Sequence, residues 1–142
     1  MTQTASPYGT HRVIEPLGVL PQGAWKIDNQ MSIADNEILI DVSALNVDAA
    51  SFTQIKQQAG GDAAQMQARV GDIVCGIVAQ RGKLHNPVTG SGGMLIGTVR
   101  AVGSALVGKV DLVPGDKIAT LVSLSLTPLV IHAIHAVHLE RD

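Results

Sequence analysis

Hydrophobic and polar positions alternate most cleanly over residues 37–45. Ile38, Ile40, Val42 and Ala44 fall on one face; Glu37, Asp41 and Ser43 fall on the other, with Leu39 among them. A period of two predicts a half-buried strand. Residues 11–20 predict an earlier strand, ended by Pro21-Gln22-Gly23, and residues 25–27 a short extended piece. At Asp48 the pattern changes. Ala49, Ala50, Gln54, Lys56, Gln57 and Gln58 tolerate a helix, Asp48 is placed to cap it, and Gly60-Gly61 to stop it. Residues 62–69 predict a second short helix capped by Asp62. Residues 72–80, DIVCGIVAQ, are rich in β-branched side chains and predict a strand. A loop over residues 81–93 leads to strands over residues 94–102 and 117–126, the second entered through the turn Pro114-Gly115-Asp116. Residues 131–139 predict a last strand. Residues 1–10, rich in Thr, Ser, Pro and Gly, predict a flexible start. The sum is a mainly β chain with short helices, which suits a small, partly open β-barrel.

Composition narrows the function. At 142 residues the chain fits one domain. Its only aromatic residues are Tyr8, Trp25 and Phe52, and its net charge is −2 without a basic run. Both stacking platforms and the electrostatic footprint for nucleic acid are therefore missing. No uninterrupted apolar stretch approaches the roughly 18 residues of a membrane span. The N-terminal residues have no apolar signal-peptide core. A lone Cys75 permits no internal disulfide and suits a reducing, cytoplasmic setting.

Three motifs invite chemistry. Gly90-Ser91-Gly92-Gly93-Met94-Leu95 approaches a dinucleotide fingerprint, but Leu95 stands where the third glycine belongs and the segment opens a strand instead of a helix. His132, His135 and His138 on a strand would leave His132 and His138 about 20 Å apart at ~3.3 Å per residue, with His135 pointing away. Cys75 sits in an apolar run without a neighbouring base to lower its pKa, which reads as burial. A polar cluster, Arg81, Lys83, His85 and Asn86, flanks the glycine loop.

The order of elements carries a resemblance. An alternating strand leads to the Asn46-Val47-Asp48 helix start. A glycine loop follows, then Gly97-Thr-Val-Arg-Ala-Val-Gly103, then a Pro-Gly-Asp turn into the next strand. This resembles the GroES-like domain of medium-chain dehydrogenase/reductases. Residues 81–93 and 119–128 look like one branch, the L-erythro-3,5-diaminohexanoate dehydrogenases of lysine fermentation. The resemblance implies a GroES-like substrate domain over residues 11–142. It would belong to an NAD-dependent enzyme that oxidatively deaminates a diamino acid, with NAD held mainly by a Rossmann domain absent from this chain. It also implies a homo-oligomer in the complete enzyme. The zinc-dependent relatives place a Cys where Asp48 stands and a His-Glu pair where Gly93 and Met94 stand. Glycine and methionine do not replace those ligands, so no zinc is expected. Arg81 or Lys83 would hold the substrate carboxylate, and Asp48 or a loop carbonyl an ammonium group. His85, with Asp48 and Ser51, would move protons. Asn86, Gly92 and Gly93 would line the substrate. Two other readings stay open: another zinc-free reductase of quinone-reductase type, and a non-catalytic GroES-like binding module. The polar, glycine-rich loop argues against the latter.

Overall fold

The computed structural model describes residues 4–140. Two antiparallel sheets and two helices make up the fold, and neither sheet closes into a barrel. After a 3-10 turn at Thr10–Arg12, β1 (Val13–Glu15) pairs with β2 (Lys26–Ile27). The larger sheet has the order β3 (Ile38–Val47), β4 (Gly93–Val102), β5 (Lys117–Ala119). Between β3 and β4 come α1 (Ala49–Ala59) and α2 (Ala63–Arg81), and a 3-10 turn at Leu124–Leu126 follows β5. The partly open β domain expected from the pattern is present, with more helix than expected. No described helix is long and apolar enough to cross a membrane.

The helix caps are those the sequence announces. Asp48 accepts from the Ser51 N–H at 3.0 Å, and Asp62 from the Gln65 N–H at 2.9 Å. The second helix, however, does not stop at residue 69. Residues 72–80, expected as a strand, continue α2 to Arg81. Val70, Val74 and Val78 recur every four residues and are buried, with Met66, Ile73 and Ile77 packed beside them. Reading residues 62–80 as two pieces hid that helical period. Burial of one such valine is worth about 1.5–3 kcal/mol, which outweighs the small helix-propensity deficit of β-branched residues. Cys75 thus lies half-buried on a helix.

The valine stripe of α2 meets Ile55 and Ala59 of α1, Leu84, Leu95 of β4, and Leu124 and Leu129 in one core cluster. A smaller cluster, Val13, Ala24 and Ile27, lies under the first sheet. The alternation of β3 is broken twice. Pairing with β4 shifts between Leu39 and Ile40 and again between Val42 and Ala44. The second bulge, at Ser43, exchanges the faces, so Leu45 and Val47 join Ile40 on the core while Ala44 turns outward.

Other expectations are corrected. Only residues 13–15 of the first run are strand, and β5 ends at Ala119 because the chain turns into the 3-10 segment. Residues 131–139 form no strand. Ile131, Val137 and Leu139 instead lay irregular chain over the core cluster. The flexible start was placed at residues 1–10, of which 1–3 lie outside the described residues. Thr4 donates to Asp35 at 2.7 Å, and Ala5 and Asn36 exchange two bonds at 3.0 and 2.7 Å.

Arg12 locks the N-terminal segment to the start of β3. It is 8% exposed. Its Nε and Nη2 donate to the two carboxylate oxygens of Glu37 at 2.8 and 2.7 Å. Its remaining donors reach the carbonyls of Asp28, Gln30 and Ser32. The Arg12 guanidinium holds the Glu37 carboxyl down to about 2 from 4.5, with burial opposing and the Ala34 N–H and His11 assisting. A depressed folded-state pKa stabilises above the unfolded value, and that stabilisation is lost as pH falls from about 4.5 to about 2.

Three outcomes are expected. Arg12→Met should leave the Glu37 carboxylate with only His11 and the Ala34 N–H, and cost about 3 kcal/mol in urea unfolding at neutral pH. Glu37→Gln should flatten the acid limb of the stability curve between pH 4.5 and 2. Gly93 has φ 141° and pairs with Val47, and a Cβ there would overlap the Asn46 carbonyl oxygen. Gly93→Ala should therefore cost at least about 2 kcal/mol, read as a lowered Tm by circular dichroism.

Candidate functional site

Strand β3 delivers Asp48 to the N-terminus of α1, and β4 begins directly opposite, at Gly93 paired with Val47. The loop between α2 and β4 must therefore return to the α1 N-terminus. It does so with few degrees of freedom left. The Asp48 N–H donates to the Gly92 carbonyl at 3.0 Å. Within the loop, Asn86 N–H donates to the Ser91 carbonyl and Gly90 N–H to the Asn86 carbonyl, both at 2.9 Å. Gly92 lies so close to the Leu84 carbonyl and Ser125 N–H that no side chain fits there.

One half of this site is anionic and hydroxylic. Asp48 Oδ1 accepts from the Ser51 N–H and from Ser91 Oγ, each at 3.0 Å. Asp48 Oδ2 is buried without a partner. Burial opposes ionisation of Asp48, but the bonds from Ser51, Ser91 and Ala50 outweigh it and hold the carboxyl below its usual value. Ser51, fully buried, has its Oγ 2.8 Å from both Thr89 Oγ1 and Ser91 Oγ, and the latter two are 3.0 Å apart. Asn86 braces the arrangement. Its Nδ2 donates to Gln54 Oε1 at 2.9 Å, and its Oδ1 accepts from the Val88 N–H at 2.8 Å.

The other half is cationic. Arg81 closes α2. Its Nε donates to the Trp25 carbonyl at 2.8 Å, its Nη1 donates to the His85 carbonyl, and its guanidinium stacks 4.1 Å from the Trp25 ring centroid. Burial lowers its pKa. Lys83 is fully buried, and its Nζ donates to the Pro21 carbonyl at 2.6 Å. Burial, then the Arg81 charge, depresses its amine to about 8. His85 lies 3.2 Å from the Gly90 carbonyl through Nε2, and its Nδ1 is buried without a partner. Burial, then Lys83 and Arg81, push the imidazole down to about 4, against a small pull from Gly90. At neutral pH this ring is uncharged, and Lys83 is the group of the three whose pKa lies closest to neutrality.

All eight residues picked out from the sequence thus lie on the α1 N-terminus or on the segment from the end of α2 to the start of β4. Arg81, Lys83 and Asn86 are buried there, not solvated. Thr89 and Ser91 were missed as functional positions. They were read only as part of a glycine turn, although two hydroxyls two residues apart face Ser51. Gly92 and Gly93 lead into β4 packed against backbone, and no helix follows them, so the segment does not form the strand-to-helix cradle that a dinucleotide pyrophosphate needs. Met94, on β4, pairs with Asn46 of β3. His132, His135 and His138 are exposed on irregular chain. Among the described residues no three His, Cys, Asp or Glu side chains gather as a metal site. Beside Asn86, an open groove of about 620 Å³ runs between α1 and α2, lined by Gln54, Gln58, Ile73, Ile77 and Gln80. A second groove, about 460 Å³, lies along β3 and residues 126–130.

Residues 11–142 match the family described as the L-erythro-3,5-diaminohexanoate dehydrogenase N-terminal domain. The chain is 64% identical over 135 residues to the L-erythro-3,5-diaminohexanoate dehydrogenase of Fusobacterium nucleatum subsp. nucleatum, covering 95% of this chain and 38% of that protein. It is 65% identical over 127 residues to the protein of the same name from Acetoanaerobium sticklandii, covering 89% of this chain and 36% of that protein. The chain therefore spans less than two fifths of the length of these relatives. By the extent of this match, the chain belongs to the family of L-erythro-3,5-diaminohexanoate dehydrogenase N-terminal domains.

Proposed function

We propose that this chain is the substrate-side domain of an NAD-dependent amine dehydrogenase. Its reaction is the oxidative deamination of L-erythro-3,5-diaminohexanoate, a step of lysine fermentation. The observation that carries this reading is 64–65% identity, over most of the chain, to two dehydrogenases named for that substrate. The balance of the reaction is simple. A bound nicotinamide would supply the acceptor for the C3 hydride, and the ammonium would give up a proton. Water then hydrolyses the C3 imine to a ketone and ammonia. The nicotinamide would be held by chain outside these residues, as in a GroES-like domain that works beside a Rossmann domain, and no catalytic zinc takes part.

Two features of the site support an amine substrate. Asp48 stays an anion through the neutral range, because its pKa is lowered, and one of its oxygens has no partner. An ammonium group is the natural complement of a carboxylate oxygen in this state. The hydroxyls of Ser51, Thr89 and Ser91 beside it supply further acceptors. Ser51 would in addition pass protons along this chain of hydroxyls.

Three measurements test the reading. In the longer protein, NADH should form from L-erythro-3,5-diaminohexanoate and NAD; turnover of a quinone without turnover of the diamino acid would replace it. Calorimetry of the 142-residue chain with NAD should give no binding heat, and tight binding would move the cofactor site into this chain. Asp48→Asn keeps an acceptor for the Ser51 N–H and removes the charge. It should raise KM by about 10- to 100-fold, the loss of one charge-assisted bond, with Tm nearly unchanged. Asp48→Ala should in addition lose about 1 kcal/mol of helix capping.

A further inference from the structure

The charges beside the glycine loop do not balance. Arg81 and Lys83 are 5% and 0% exposed, and among the described residues no carboxylate forms a salt bridge with either. The Lys83 ammonium has three donors and makes one bond, to the Pro21 carbonyl. Arg81 directs Nε and Nη1 to carbonyls. Two residues beyond Lys83, His85 Nδ1 is buried with no partner. Folded chains ordinarily pair buried charges, because an unpaired one forfeits its hydration. Two buried cations at alternate positions of one segment are the complement of a missing anion, and a proton taken up at His85 Nδ1 beside them would add a third donor.

We infer that Arg81, Lys83 and His85 form a subsite for one carboxylate of a small organic acid, covered in this state by residues 16–25. The covering segment supplies what the anion would replace. Pro21 and Trp25 offer carbonyl oxygens to Lys83 and Arg81, and the Trp25 ring lies over the guanidinium. It is held lightly. Of its ten residues only Pro21 and Ala24 are buried, while Leu17 and Leu20 are 79% and 59% exposed. A carboxylate makes stronger bonds to an ammonium and a guanidinium than a peptide carbonyl does. Its charge would also draw Lys83 and His85 back up from about 8 and about 4. Arg81 is the charged group acting on Lys83, and Lys83 and Arg81 act on His85; the covering segment contributes carbonyls at Pro21 and Trp25.

The identity of the acid rests on the proposed substrate, whose carboxylate sits two carbons from the reacting amine. The probe is therefore 3-aminobutanoate, with acetate, inorganic phosphate and propylammonium beside it. The readout is the Lys83 Nζ resonance of the 142-residue chain, titrated with pH in the presence of each compound. Both carboxylates should raise the Lys83 pKa by at least about one unit, a tenfold preference for the charged amine. Propylammonium should not. Calorimetry should show 3-aminobutanoate binding that weakens at least tenfold in Lys83→Met, with folding checked by circular dichroism. The unmodified chain decides the matter if that variant fails to fold. A Lys83 resonance indifferent to both carboxylates overturns the subsite, and a response to phosphate alone overturns its assignment to a carboxylate. Neither readout involves NAD or turnover. A failed dehydrogenase assay therefore leaves the subsite standing, and a silent Lys83 leaves the dehydrogenase reading standing.

Discussion

The approach of backbone to backbone along residues 82–93 is the constraint on which the rest of the structure depends. At Gly82, where α2 ends, the chain passes against the Ile27 carbonyl of the first sheet. At Gly92 it passes against Leu84 and the 3-10 turn at Leu124–Leu126, and at Gly93 against Asn46 of β3. A Cβ at any of the three would collide with main chain, which has no room to yield. One segment thus ties both sheets, both helices and the last turn together. Leu84, pinned between these contacts, is 1% exposed and joins the main core cluster.

That same compression explains why the site is polar and buried at once. A loop drawn tightly over a core cannot turn all its side chains outward. Its polar groups must find partners inside. Most do: Asn86 bridges Gln54 and its own turn, and Ser51, Thr89 and Ser91 close a ring of hydroxyls on Asp48. The exceptions are an oxygen of Asp48, a nitrogen of His85, and the donors of Lys83 beyond its single bond. The charges here divide by sign, negative at Asp48 and positive at Arg81 and Lys83. A molecule bearing both an ammonium and a carboxylate complements that division.

Burial also changes which group is fit for which task. From residue type alone His85 suits proton transfer near neutrality. In place, buried and with Lys83 and Arg81 beside it, its imidazole sits at about 4 and is neutral near pH 7, whereas the Lys83 amine, at about 8, is drawn close to neutrality. Each cation depresses its neighbour's proton affinity, so the chemistry belongs to the cluster and not to any one of its members.

Local rules determined a good part of this protein from its sequence. Asp48 and Asp62 announced two helix starts and Gly60-Gly61 a stop, because a cap is a contact within a few residues. The strands Ile38–Val47 and Gly93–Val102 and the turn at Pro114-Gly115-Asp116 were legible for the same reason. So was the set of residues around Asp48 and the 81–93 loop, through the resemblance that their order carries. Tertiary structure alone decided the rest. Residues 72–80 hold β-branched side chains that fit either period, and the core formed with Ile55 and Leu95 selected the helix. The bulge at Ser43 turned the faces of β3, which no alternation reveals. Thr89 and Ser91 became partners of Ser51 across about forty residues of chain. Whether Lys83 met solvent or was sealed beneath Pro21 likewise depended on a residue 62 positions away. Burial and charge pairing are properties of neighbours in space, and only the packed chain defines who those neighbours are.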